Sequence, residues 1–141
     1  MEQVDLSALS EGALVLVDSA PIIYVLEGHP RFAARFRPLF DRQAEGAITL
    51  AVSALTIAEV LTGPLKSGEE ALAKRYRAVM ESWQVIDLTA EIAESAARFR
   101  VALKLKLPDA VQVASAIAVG ADAIATHDRD FSRVRALAVI S

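Results

Sequence analysis

Apolar runs and helical stripes alternate along this chain. Short continuous runs at Ala13–Val17, Ala47–Val52, Trp83–Leu88, Ala123–Thr126 and Leu137–Ile140 read as strands. A strand covered on both faces needs apolar residues at successive positions, and these runs supply them. Helical patterns fill the intervals. Ser19 and Pro21 suit the start of a first helix and Gly28 its end. Phe32, Phe36, Leu39 and Phe40 give one stripe of a second. Ser53 caps a third, expected to run to about Leu61 before Gly63-Pro64 breaks it. Ser67-Gly68-Glu69-Glu70 has the form of a capping box, opening a helix with Leu72, Tyr76, Val79, Met80 and Trp83 on one face. Thr89 opens another, with Ile92, Ala96, Phe99 and Leu103 inward. Pro108 begins the next, with Ala110, Val113, Ala114 and Ile117 inward and Gly120 at its end.

Strands that alternate with helices predict an α/β fold with a mainly parallel sheet joined by right-handed crossovers. No repeat, low-complexity tract or linker interrupts the pattern, so residues 1–141 read as a single domain. A length of 141 residues is enough for a core of its own.

Composition narrows the function. Hydrophobic residues make up 54% of the chain, which argues against disorder. Glu11, Asp18, Glu27 and Glu59 interrupt every apolar stretch, so no membrane span is expected. The start of the chain lacks a basic, apolar, small-residue signal pattern, and a cytoplasmic location is the expectation. There is no cysteine, which excludes disulfides, thiolate zinc sites and cysteine nucleophiles. Two histidines, His29 and His127, are too few for a histidine-rich metal site. The net charge of −3 counts mildly against a nucleic-acid substrate. Bound cations would reverse that sign locally, and an acidic surface also suits a partner with a basic segment.

Four acids stand where a polar side chain is least expected. Asp18 ends LVLVD, and Asp128 follows AIATH. Asp109 opens the helix of LPDAVQVASA. Glu59 lies in the apolar stretch SALTIAEVL, on the same helix face as Thr56 three residues before it. Each has an ordinary reading. Asp18 and Asp109 can cap or charge a helix N-terminus, although Ser19 alone would cap the first. Asp128 can belong to a polar turn, with Asp130 two residues on as a reserve ligand. Glu59 can sit on an exposed stripe, but Leu55, Ile57, Ala58, Val60 and Leu61 leave little room for one, and a buried carboxylate needs a partner. In an α/β sheet the strand C-termini converge on one edge, where sites are built. Four carboxylates gathered there repel one another unless protons or cations sit among them. Hard divalent ions such as Mg²⁺ or Mn²⁺ suit carboxylate oxygens, and the chemistry this favours is metal-assisted attack on a phosphate ester.

The other features carry less. The basic residues Arg31, Arg35, Arg37, Arg75, Arg77, Arg98 and Arg100 are scattered over helices and read as solvated faces. Lys104 and Lys106 lie just before Asp109, within possible reach of a substrate backbone. His127 has no evident partner and reads as a loop histidine. No Gly-rich loop follows the first strand, and no G-x-S-x-G is present. An aspartyl-phosphate phosphatase or receiver-like domain is the first alternative. A phosphatase would want an acid where Ala20 stands, and a receiver a lysine after a late strand; Asp87 is the one feature in their favour. A non-catalytic binding module is the second.

At these residues the chain resembles the PIN-domain family, and within it the VapC-type toxins of toxin–antitoxin pairs. Val17-Asp18-Ser19 with Ile22 is similar to the family's opening motif, and Ser53-x-x-Thr56-x-x-Glu59-Val60-Leu61 to its second. Leu107-Pro108-Asp109-Ala110 with Ala114 and Ala116 is similar to its third, and Thr126-x-Asp128-x-Asp130-Phe131 to its fourth. Together they span nearly the whole chain in the family's order. The resemblance implies a five-stranded parallel sheet between helices and a Mg²⁺- or Mn²⁺-dependent ribonuclease that leaves a 5′-phosphate and a 3′-hydroxyl. It implies that Asp18, Glu59, Asp109 and Asp128 form the acidic cluster, with Ser19, Thr56, Thr126 and Asp130 supporting it. Asp18, Asp109 and Asp128 are then the expected metal ligands, and Glu59 helps deprotonate the attacking water. It also implies an RNA substrate, a homodimer, and a small antitoxin whose basic C-terminal segment blocks the site. Asp18→Asn is expected to abolish cleavage, and to stabilise the metal-free protein by relieving repulsion.

Overall fold

A computed structural model describes residues 2–141. Five strands form one sheet: β1 (Leu14–Val17), β2 (Thr49–Ser53), β3 (Gln84–Ile86), β4 (Ala123–Ala125) and β5 (Ala138–Ile140). Their order across the sheet is β3-β2-β1-β4-β5, and every neighbouring pair is parallel. Six α-helices connect them: α1 (Ser19–Leu26), α2 (Ala33–Ala44), α3 (Ala54–Lys66), α4 (Glu70–Glu81), α5 (Ala90–Leu103) and α6 (Leu107–Ala118). The expected α/β fold with a parallel sheet is the observed one.

Alternation along β1 divides the core in two. Val15 and Val17 face Ile22, Phe36, Leu39, Val60 and Met80 from α1 to α4. Leu16 faces the other way, onto Ile92, Ala96, Ala110, Val113 and Phe131. Both faces of the central strands are therefore covered, which is why their sequence is apolar at every position. Among the described residues, no helix is long and apolar enough to cross a membrane.

Four local expectations fail, two of them at one turn. Helix α3 does not stop at Leu61 but runs through Gly63 and Pro64 to Lys66. Its end is set instead by Gly68, at φ 72°. Gly68 N–H donates to Leu65 O at 3.1 Å and Glu69 N–H to Pro64 O at 2.8 Å, the paired bonds of a glycine-closed helix end. Ser67-Gly68-Glu69-Glu70 is thus spent on ending α3, and no capping box forms: Glu69 precedes α4 without a side-chain capping bond. Ile117, expected inward, is 39% exposed on α6. Helix α3 is also less enclosed than its sequence implies, since Ala58, Thr62 and Leu65 are exposed.

The chain builds β1, β2 and β3 to one side and then crosses to β4 and β5 on the other. The tips of β1 and β4 therefore flank the point where the sheet order reverses, the place where parallel sheets leave a crevice.

Candidate active site

Asp18 directly follows β1, and its backbone N–H donates to Ala125 O of β4 at 2.9 Å. The side chain is 9% exposed. Its Oδ1 accepts from Ser19 N–H at 2.9 Å and from the Gln112 amide at 3.1 Å. Its Oδ2 accepts from the Thr126 hydroxyl at 2.9 Å. Three donors thus compensate a carboxylate that burial would otherwise destabilise. Asp18 is the N-cap of α1 and also lines a cavity, so capping does not withdraw it from the sheet edge.

That cavity has a volume of about 560 Å³ and is lined by Asp18, Ser19, Glu59, Asp109 and Asp128, together with Tyr24, His127 and Arg129. All four acids singled out in the sequence therefore meet. Glu59 projects from α3, where burial and then the Asp18 charge push its carboxyl above the usual range, opposed by the Ser19 hydroxyl. Thr56, one turn earlier, is fully buried and bonds the Gln112 amide at 2.6 Å.

Asp109 sits in the first turn of α6 and is 9% exposed. Its Oδ2 is buried and has no partner among the described residues. Burial, then the charges of Asp128, Asp18 and Asp130, push its carboxyl up to about 7, so without a cation it takes up a proton as pH falls through neutrality. After β4, Asp128 N–H donates to Thr126 Oγ1 at 3.0 Å, and Asp130 N–H donates to Asp128 Oδ1 at 2.9 Å. The Thr126 hydroxyl, fully buried, therefore accepts from the Asp128 backbone and donates to Asp18, fixing two acids at once.

One oxygen each from Asp109, Asp128 and Asp130 lies within 4.8 Å of the others. Asp130, ranked behind Asp128 on sequence, is thus a full member of this trio. Asp18 is outside it, its oxygens already engaged by donors. The orphaned Asp109 oxygen and three hard oxygen donors so close together fit a divalent cation of the Mg²⁺ or Mn²⁺ type.

A family model for the PIN domain matches residues 15–137. The chain belongs to the PIN-domain family. Three solved structures illustrate what this PIN domain is similar to. A toxin–antitoxin complex from Klebsiella pneumoniae is 25% identical, with 90% of this chain and 96% of that one covered and a TM-score of 0.71. VapBC2 from Rickettsia felis, bound to a DNA fragment from its promoter, is 20% identical, with 89% and 96% covered and a TM-score of 0.70. Mycobacterium tuberculosis VapC20, described as a toxin that cleaves the sarcin–ricin loop, is 20% identical, with 86% and 98% covered and a TM-score of 0.69. No curated protein matches the chain.

Two parts of this PIN domain's site escaped the sequence reading. Gln112 is 1% exposed and bridges Asp18 and Thr56. Its signal is present: a polar residue three after Asp109 on a largely apolar helix, the same spacing that links Thr56 and Glu59. His127 is not a partnerless loop residue. Its Nδ1 bonds the Tyr24 hydroxyl at 2.9 Å, and its ring meets Phe32 and Phe36 edge-on at centroid distances of 4.6 and 5.6 Å. That partner lies 103 residues away, beyond any local pattern. Asp87, by contrast, is exposed beyond β3 and does not line the cavity, which removes the one feature favouring a receiver-like site.

Proposed function

We propose that this PIN domain is a metal-dependent endoribonuclease, acting as the toxin of a type II toxin–antitoxin pair. The observation that carries the reading is the meeting of Asp18, Glu59, Asp109 and Asp128 in one cavity at the sheet's switch point, with Asp130 beside them. Family membership and the VapBC structures support it.

Asp109, Asp128 and Asp130 would hold Mg²⁺ or Mn²⁺, with Asp18 close enough to complete the charge. Bound there, the cation supplies Lewis-acid stabilisation of the phosphate and acidifies the attacking water. Glu59 takes the proton of that water; its raised affinity for protons suits the task. The water oxygen would bond to phosphorus as the bond to O3′ breaks, and O3′ would take a proton from solvent, leaving a 5′-phosphate and a 3′-hydroxyl. Gln112, Ser19, Thr56 and Thr126 hold Asp18 and the loop after β4 in place. The protein would work in the cytoplasm as a homodimer. A small antitoxin would restrain it, a basic C-terminal segment reaching the acids.

Incubating total cellular RNA with purified protein in Mn²⁺ or EDTA, beside Asp18→Asn, tests the reading. Cleavage that needs the metal and disappears in the variant is the expected result. A fully active Asp18→Asn protein would overturn it.

A further inference from the structure

We propose that the trough beside the acidic cavity binds the sugar–phosphate backbone of the RNA through Arg31 and Arg129. The proposal rests on the ribonuclease reading and adds where the substrate strand runs.

A second cavity of about 720 Å³ opens next to the acidic one, lined in part by Arg31, Phe32, Arg35 and Ser132. His127, Asp128 and Arg129 line both cavities, so the two form one continuous surface. Asp18, Glu59 and Asp109 line only the first cavity and Arg31 and Arg35 only the second, with Asp128 and Arg129 shared between them. This is a local reversal of sign on a chain of net charge −3. Arg31 and Arg35, which read as scattered solvated charges in the sequence, meet Arg129 because α2 starts beside the loop after β4.

The three arginines are not equivalent. Arg35 is tied down, donating to Glu2 O at 3.1 Å and to Ser141 O at 2.7 Å. Its charge remains, but its donors serve the fold. Arg31 and Arg129 are exposed, and among the described residues neither guanidinium has an ion pair or a hydrogen bond. Arg31 rests beside Phe32, with Cζ 5.3 Å from the ring centroid. Two free guanidiniums at the rim of a trough are ready donors for phosphate oxygens.

The occupant must satisfy both ends. A basic peptide, such as the antitoxin segment proposed above, would suit the carboxylates alone and be kept out of the trough by the arginines. An acidic peptide would suit the arginines and be repelled by the carboxylates. A phosphodiester chain suits both once a cation is bound among the acids: one phosphate meets the metal and its neighbours meet Arg31 and Arg129. Phe32 and His127, half-buried, wall the path between, which fits a single strand with bases free to lie against ring edges.

The test is fluorescence anisotropy of a labelled single-stranded RNA of mixed sequence, in Mg²⁺ over a series of salt concentrations. Every protein carries Asp18→Asn to suppress cleavage. Adding Arg31→Gln and Arg129→Gln is expected to weaken binding about tenfold or more, and to reduce the salt slope by about 0.7 for each phosphate that is no longer neutralised. Arg98→Gln with Arg100→Gln, on the outward face of α5, is expected to leave the Kd within about twofold, as removal of charges away from the bound phosphates should. Thermal melts confirm that both variants fold. An unchanged Kd and slope in the trough variant, or an equal weakening in the α5 variant, overturns the trough. If the parent with Asp18 intact still cleaves RNA, the ribonuclease reading survives that failure. If the parent neither binds nor cleaves, both fall.

Discussion

The Gln112 amide lies 3.1 Å from Asp18 Oδ1 and 2.6 Å from Thr56 Oγ1, so one buried side chain joins the tip of β1, the start of α3 and the middle of α6. Gln112→Met keeps the length and apolar stem but removes both donors. Leaving a buried carboxylate oxygen short of a donor costs about 1–3 kcal/mol. Groups that orient metal-site residues are worth roughly 10–100-fold in metal affinity or activity, and RNA cleavage should fall by about that factor. Urea denaturation beside a cleavage assay checks both. Wild-type values for both would mean that the amide is incidental.

Asp18→Asn should abolish RNA cleavage, but its effect on stability is not the gain that repulsion alone suggests. The carboxylate accepts from Ser19, Gln112 and Thr126. An asparagine offers one acceptor oxygen and turns an NH₂ toward at least one of these donors. The metal-free variant should therefore lose about 1–3 kcal/mol, the cost of an unmatched buried polar group. A melt in EDTA showing a more stable variant would mean that repulsion outweighs these bonds.

The fold is legible because its central strands are buried on both faces and even the half-exposed edge strands β3 and β5 keep mostly apolar runs. Helix ends were less so: Gly63-Pro64 looks like a stop, yet the main-chain bonds that close α3 belong to Gly68. The acids at the sheet edge were legible from their position after apolar runs. The closeness of Asp130 to Asp109 and Asp128 is not legible, because a short 3₁₀ turn, Arg129–Arg133, folds it back. The Tyr24–His127 bond and the convergence of Arg31 with Arg129 depend on tertiary placement and leave no periodic trace.

Asp109 makes the metal-free protein sensitive to pH. Its carboxyl stands near 7 in the folded chain against an ordinary 3.8. The folded state therefore holds this proton more tightly than the unfolded one. The stability it contributes is fully present below the unfolded value and is lost as pH rises toward 7. Glu59, also raised, acts in the same direction. His127, whose burial lowers it, acts oppositely as pH falls through the usual histidine range. Comparing Asp109→Asn with the parent cancels both. In EDTA the two Tm values should agree near pH 4 and diverge by pH 8, with the variant higher. Parallel melting curves across that range would rule out the buried, protonated Asp109.

Metal binding should reverse that penalty, and it separates two ligand sets. If Asp109, Asp128 and Asp130 hold the ion, then Mn²⁺ at a hundred times its Kd stabilises the protein by about 2.7 kcal/mol through linkage. Asp130 decides between this trio and a set built on Asp18. Among the described residues it pairs only with Arg133, at 3.7 Å and partly exposed, and such a pair is worth about 0–1 kcal/mol. Asp130→Asn should thus leave the EDTA melt nearly unchanged while removing most of the Mn²⁺-induced rise in Tm. A full metal-induced shift in Asp130→Asn, together with its loss in Asp109→Asn, would move the ion toward Asp18 and leave Asp130 as a turn residue.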